Sequence, residues 1–244
     1  LKRNLGLLLT VATLSAVMAI VPSTAGAAAS VVPNAGSVTD PQTAPSTLET
    51  YKACPAGSAS AAGFTDTTST DVDCIKMFGI TTGKTATTYD PSGTVSRQDM
   101  ARFIHRMFVP AGVAAAGATA VPAFTDIAAV DAGGTAAINA LASHGITTGT
   151  TATTFSPDDN VTREQMAMFL NRFASIAKDH AGVAITAIAA STGSYNYSDI
   201  SSTSWEGMES IIRLFNLGVT EGACTIATCS STYRPSENIT RAEM

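Results

Sequence analysis

Three arginines occupy the same short motif at three places along this sequence. Arg97, Arg163 and Arg241 each follow a serine or threonine and precede a methionine by three positions. The hydroxyl residue and the acidic or amide residue three positions later have the spacing of a helix capping box, so each arginine is expected in a first helical turn. A guanidinium beside unpaired backbone N–H groups of a helix N-terminus is suited to binding a carboxylate. The motif therefore predicts anion binding.

Residue patterns for catalysis and for metal binding do not occur in the sequence. His105, His144 and His180 share no spacing, and neither a Gly-x-Ser-x-Gly segment nor a metal-binding helix motif is present. The formal charge is −5 and the basic residues form no cluster, which argues against nucleic acid as a partner. The sequence predicts a binding module with no catalytic residue, no metal and no cofactor.

The arginine motif closes a repeat that occurs three times. Each copy opens with an aromatic-x-Asp, continues with a Gly-Ile/Val-Thr-x-Gly segment and ends with the arginine motif. We predict that the aspartates cap the entry to a first helix and that the second glycine of each segment allows a backbone turn. In chain order the aspartates are Asp66, Asp126 and Asp199, and the glycines are Gly83, Gly149 and Gly222.

Two helices are predicted in each copy. Apolar residues recur at helical spacing before the first glycine, as in Ile138 and Leu141, and again behind the arginine, as in Met166, Phe169 and Phe173. The first copy is shorter between its aspartate and its glycine, so its first helix is expected to lose more than a turn. Neither helix is long enough to be stable alone, and the copies must therefore pack together.

Both ends of the chain differ from the repeats. Residues 1–29 run from basic to apolar to small residues, which is typical of a secretory signal peptide, with a membrane-spanning helix as the alternative. Residues 30–63 are rich in Ser, Thr, Pro and Ala and are predicted to be a flexible spacer containing Cys54. The chain stops at Met244, one turn into the last predicted helix, which is typical of a fragment of a longer protein.

Export to an oxidising compartment makes two disulfides the expected state of the four cysteines, with a zinc site as the weaker alternative. Three pairings are possible. Spacing favours Cys54 with Cys74 and Cys224 with Cys229, because each pair then lies within or beside one copy.

The repeat resembles the S-layer homology domain, in three tandem copies of which the last is truncated, and its cysteines resemble the exported actinobacterial type. The copies span 64–109, 124–174 and 197–244. The resemblance implies an all-α fold in which three helix-loop-helix repeats pack as a pseudo-trimeric bundle with grooves between copies. It also implies a protein secreted to the cell wall or cell surface, where the grooves bind a secondary cell-wall polysaccharide that commonly carries a pyruvate ketal.

The resemblance assigns the polysaccharide to the three arginines, with the glycines Gly83, Gly149 and Gly222 lining the grooves. Trp205 is expected either to stack on a sugar or to anchor the core. The arginines have an alternative role in pairing with a nearby carboxylate such as Glu164 or Asp99. Alternative functions are a structural or adhesive module that binds peptidoglycan or other envelope proteins, and the anchor of an exported enzyme whose catalytic part is missing.

Overall fold

The computed structural model describes residues 54, 59–115, 117, 121–177, 197–216, 219–220 and 232–244. The predicted signal peptide, most of the predicted spacer, Gly222 and the Cys224–Cys229 pair lie outside these residues. Across the described ranges, none of the helices has the length and apolar character needed to span a bilayer.

Five α-helices and one short 3-10 helix make up the described structure, which confirms the all-α prediction. Within these residues β-pairing occurs only as isolated bridges. The 3-10 helix covers Ile200–Ser202. The α-helices are α1 at Thr70–Met77, α2 at Arg97–Met107, α3 at Ala132–Ser143, α4 at Arg163–Ala174 and α5 at Trp205–Asn216.

The predicted helix starts are confirmed by their caps. The Thr162 hydroxyl accepts from the Gln165 N–H and the Gln165 side chain accepts from the Thr162 N–H, so α4 begins with a complete capping box. Glu243 closes the same box with Thr240 at the start of the third copy's last turn. Ser96 caps α2 through the Asp99 N–H, but the shorter Asp99 side chain binds cations instead.

The first helix of the first copy is short, as its sequence predicts. Helix α1 has 8 residues, whereas α3 and α5 have 12 each. A disulfide joins Cys74 in α1 to Cys54, which confirms this pairing. Closing a loop of this length contributes about 3 kcal/mol in the chain-entropy account. The bond thus ties the shortest helix to the residue that precedes the repeat.

The three copies meet at a closed ring of backbone hydrogen bonds. The Val95 N–H donates to the Ile239 carbonyl at 3.1 Å, the Ile239 N–H to the Val161 carbonyl at 2.9 Å, and the Val161 N–H to the Val95 carbonyl at 2.9 Å. All three side chains are fully buried. Because each copy supplies one residue, the ring closes only when all three copies are in place. This arrangement confirms the predicted pseudo-trimeric packing.

The first and second copies also pack their second helices against the first helix of the following copy. Helix α2 lies against α3, and α4 lies against α5. The predicted apolar stripes lie in a single buried cluster. Helix α2 also contacts α4, where Phe108 at the end of α2 stacks on Phe173 with ring centroids 6.0 Å apart. The copies therefore share one core.

Removal of a side chain at the ring should destabilise the whole body. Ile239→Ala deletes a fully buried side chain, and we expect a loss of about 2–5 kcal/mol in the free energy of unfolding, measured by urea denaturation. Val109→Ala is the control, since Val109 is 87% exposed and should cost less than about 0.5 kcal/mol. Equal midpoints for the two variants would show that the ring is not a packing centre.

Candidate anion-binding grooves

The three motif arginines are buried between copies. They are only 3–5% exposed. The Nε–H of each donates to a backbone carbonyl of the next copy, at the aromatic residue that ends its polar connection. The contacts are Arg97 to Phe155 at 2.7 Å, Arg163 to Tyr233 at 2.7 Å and Arg241 to Tyr89 at 2.6 Å.

The same guanidinium groups lie over aromatic rings. The Arg241 Cζ atom is 4.5 Å from the Tyr89 ring centroid and 5.2 Å from that of Phe103, and Arg97 contacts Phe155 and Phe169 in the same way. Such contacts contribute about 2 kcal/mol when they are desolvated. Burial lowers the pKa of Arg97, opposed by the charges of Asp159 and Asp126. The arginines therefore join the copies whatever else they bind.

The backbone N–H groups at these helix starts are not available to a ligand. The Arg97 and Gln98 N–H groups donate to the carbonyls of Asp159 and Pro157 in the next copy, both at 2.9 Å. The equivalent residues of the other two copies make the same contacts. The prediction that unpaired N–H groups assist anion binding is therefore wrong, because tertiary packing satisfies them. Any anion bound here must be bound by side chains.

The side chains of the motif aspartates do not cap helices, contrary to prediction, although Asp199 stands at the N-cap position of the 3-10 helix without a side-chain capping bond. Ser69 and Asp131 cap α1 and α3 instead. Each motif carboxylate accepts from two consecutive backbone N–H groups, which belong to the arginine-binding aromatic and the residue after it. The pairs are Tyr89–Asp90 for Asp66, Phe155–Ser156 for Asp126 and Tyr233–Arg234 for Asp199.

These carboxylates stabilise a strained turn. Asp90, Ser156 and Arg234 have φ values of 62°, 56° and 61°, in the left-handed region that non-glycine residues rarely adopt. The turn directs the preceding carbonyl at the arginine of the neighbouring copy. The motif aspartate is therefore a positioning residue for the joint between copies.

Two grooves lie beside two of these joints. Groove 1 has a volume of about 380 Å³ and groove 2 about 280 Å³. Each combines a Gly-Ile-Thr-x-Gly segment, the second helix of the same copy and the arginine of another copy. Groove 1 is lined by Thr81, Thr82, Gly83, Lys84, Asp99, Arg102, Phe103, Arg106, Asp131 and Arg241. Groove 2 is lined by Arg97, Thr147, Thr148, Gly149, Thr150, Gln165, Met168, Phe169 and Arg172.

The structure thus places four of the predicted groove residues in two pairs, Arg241 with Gly83 and Arg97 with Gly149. Both glycines have positive φ, 81° and 85°. A Cβ at Gly83 would lie 2.5 Å from Phe64, and one at Gly149 would lie 2.4 Å from the Thr154 carbonyl. Glycine is therefore required for the groove wall to turn at these positions. The third predicted glycine, Gly222, lies outside the described residues.

The arginines differ in what their terminal nitrogens bind. Arg163 Nη1 lies 3.2 Å from Glu243, so the predicted pairing with a carboxylate holds for this arginine, although with a different partner. Glu164, the partner considered from sequence, accepts from Ser204 instead. As far as the described chain extends, the Nη atoms of Arg97 and Arg241 form no hydrogen bond or ion pair. These two guanidinium groups are available to an anion in the grooves.

Trp205 is 77% exposed, so its interpretation as a core anchor is wrong. It begins α5 and directly precedes Glu206, which pairs with Arg172 at groove 2. The expected stacking on a sugar stays a prediction.

Sequence reasoning missed the other cations of the grooves, including an arginine that both grooves share by position. Arg106 and Arg172 occupy equivalent places in their copies and donate to the carbonyls of Ile80 and Ile146 at 3.2 and 3.0 Å. Their equal spacing from the motif arginines is the signal that could have identified them.

The fold and its grooves define a helical binding module of interlocked repeats. Residues 123–167, which cover most of the second copy, match the family model of the S-layer homology domain. Domains of this family are non-catalytic modules that attach proteins to cell-wall polymers at the cell surface. A comparison with curated protein sequences gave no match.

Acid should weaken the joints between copies. The backbone N–H bonds from Tyr89 and Asp90 lower the pKa of Asp66. For Asp126, burial raises the pKa, but the bonds from Phe155 and Ser156, together with its own backbone N–H and the charge of Arg97, lower it overall. A carboxyl whose folded pKa is lowered contributes stability fully above its unfolded pKa, about 3.9, and loses it as pH falls through the folded pKa.

We therefore expect Asp126→Asn to be less stable than the parent at neutral pH and to lose less stability below about pH 4. Urea midpoints measured from neutral pH to about pH 2.5 provide the test. Asp71→Asn, which changes an exposed aspartate of α1, should follow the parent curve. Parallel curves for parent and Asp126→Asn would contradict the role given to this carboxylate.

Proposed function

We propose that this chain is a non-catalytic anchor that is secreted and retained at the cell wall by an anionic secondary cell-wall polysaccharide, bound in the grooves between its copies. The observation that carries this proposal is the pair of buried guanidinium groups, Arg97 and Arg241, whose terminal nitrogens are available at the grooves. A charge-assisted hydrogen bond to such a group contributes about 1.5–3 kcal/mol.

The charge distribution supports an anionic ligand. The whole chain carries −5, yet groove 1 is lined by four cations and two carboxylates, and groove 2 by two cations. A cationic groove on an acidic protein favours a polymer whose negative charge is confined to single groups that fit the groove. The carboxylate of a pyruvate ketal is such a group. The exposed side chains of Thr82 and Thr148, at equivalent places in the two groove walls, are suited to hydrogen bonding with sugar hydroxyl groups.

The repeated architecture supports a polymer rather than a small molecule. The second copy is the one that matches the S-layer homology family, and the first and third copies repeat its arginine, aspartate and ring contacts. We therefore propose that all three are copies of this domain. Two grooves on one body bind a repeating polymer more tightly than either does alone, through effective concentration. Trp205 offers an exposed ring beside the residue that pairs with Arg172.

Co-sedimentation with purified sacculi tests the proposal. The chain should bind native sacculi and lose binding after mild acid removes the covalently attached anionic polymers. Binding that survives acid treatment would contradict the proposal and favour peptidoglycan or an envelope protein as the partner.

A matched pair of charge variants tests the site. Arg106→Gln removes a groove cation without touching the buried arginine joints, and we expect an affinity loss of about tenfold. Arg213→Gln removes the same charge from α5, outside both grooves, and should bind like the parent. Thermal unfolding of both proteins controls for loss of structure, and equal affinities would remove groove 1 from the mechanism.

A further inference from the structure

Grooves 1 and 2 share a Thr-Thr-Gly segment, a phenylalanine and two arginines at equivalent positions, but they differ in their unpaired positive charge. In groove 1 the two carboxylates are both engaged. Asp99 pairs with Lys84 at 3.0 Å and with Arg102 at 3.1 Å, and Asp131 pairs with Arg102. The other two cations, Arg106 and Arg241, have no carboxylate partner within the described ranges and bind only backbone carbonyls and aromatic rings.

Groove 2 has one such cation. Both carboxylate oxygens of Glu206 accept hydrogen bonds from Arg172, Oε1 from Nε at 2.6 Å and Oε2 from Nη2 at 2.8 Å. A bidentate pair of this kind neutralises the guanidinium and fixes its orientation. Arg97 is then the remaining unpaired cation of groove 2.

A single position accounts for the difference in unpaired positive charge between the two grooves. Glu206 is the second residue of α5, and the second residue of α3 is Gly133. Helix α3 packs on α2, which carries Arg106, just as α5 packs on α4, which carries Arg172. Groove 1 therefore lacks a neutralising carboxylate where groove 2 has one.

The cations of groove 1 also repel one another. The pKa of Arg106 is lowered by burial first and next by the charge of Arg102; Asp99 opposes this, and Arg241 lowers the pKa by the smallest amount. Like charges held together in a partly desolvated groove are relieved when an anion binds between them.

We infer that groove 1 is selective for a ligand unit with two negative charges, such as a sugar carrying a phosphomonoester or two carboxylates, whereas groove 2 takes a singly charged unit. The residue pair Gly133 and Glu206 sets this difference. The inference rests on the proposed function and specifies the substrate class of its grooves.

Two exchanges of charge test the inference without removing any arginine. Gly133→Glu places a carboxylate beside Arg106, where a Cβ meets only the Asp131 carboxylate at 3.3 Å. Glu206→Gln retains the shape of the side chain at Arg172 and removes its charge. In each case the cation under test remains in place.

The probes are inorganic phosphate and malonate, with acetate as the singly charged control, titrated at constant ionic strength and about pH 8, where phosphate is mainly dianionic. Amide resonances of Gly83 and Gly149 in the ¹⁵N-labelled chain report on groove 1 and groove 2 separately. In the parent, at least one dianion should saturate Gly83 at a concentration about tenfold lower than Gly149. If phosphate binds more tightly than malonate, groove 1 prefers a phosphomonoester; if malonate binds more tightly, it prefers two carboxylates.

Gly133→Glu should raise the midpoint at Gly83 about tenfold, and Glu206→Gln should lower the midpoint at Gly149 by a similar factor. Equal midpoints in the parent for both dianions, or no change at Gly149 in a folded Glu206→Gln protein, would overturn the inference. Sacculus binding that still depends on the acid-labile polymer would then leave the proposed function intact. Conversely, dianion selectivity without polymer-dependent binding would contradict only the proposed function.

Discussion

The contact on which the structure depends is the insertion of each copy's arginine into the aromatic turn of another copy. Arg97 binds the second copy, Arg163 the third and Arg241 the first, so the contacts form a closed cycle. Each turn exists because a carboxylate two residues after an aromatic holds its N–H groups. Short helices that would be marginal alone thereby become parts of one cooperative body.

The same burial that joins the copies creates the binding surface. An arginine that donates its Nε–H to a carbonyl and stacks on an aromatic ring has little conformational freedom left. Its remaining nitrogens are pre-organised at the groove, so a ligand loses little affinity to side-chain ordering. A substitution of Arg97 or Arg241 would therefore alter both the contact between copies and the proposed binding site. Specificity is therefore better adjusted at surrounding residues such as Arg106 and Glu206.

Much of this architecture can be predicted from sequence because local rules govern it. Capping boxes fix the helix starts, the missing residues before Gly79 shorten α1, and spacing identifies the Cys54–Cys74 bond. The role of the motif aspartates could not be predicted this way, since Asp126 accepts from residues 29 and 30 positions away. The charge state of each groove also escapes sequence reasoning, because Glu206 meets Arg172 only after α5 packs on α4. The expectation that the motif arginines and the second glycines line the same grooves came from the family resemblance, because their spacing in the sequence does not reveal it.

Native-state hydrogen exchange of the ring amides tests the central claim most directly. Val95, Val161 and Ile239 each donate an N–H to one of the other two copies and accept one from the other, so none can open without breaking the cycle. The account predicts that all three amides exchange with one opening free energy, equal to that of global unfolding. Exchange of the Ile239 amide through a separate opening, easier by more than about 1 kcal/mol, would show that the third copy folds apart from the others and would contradict the account.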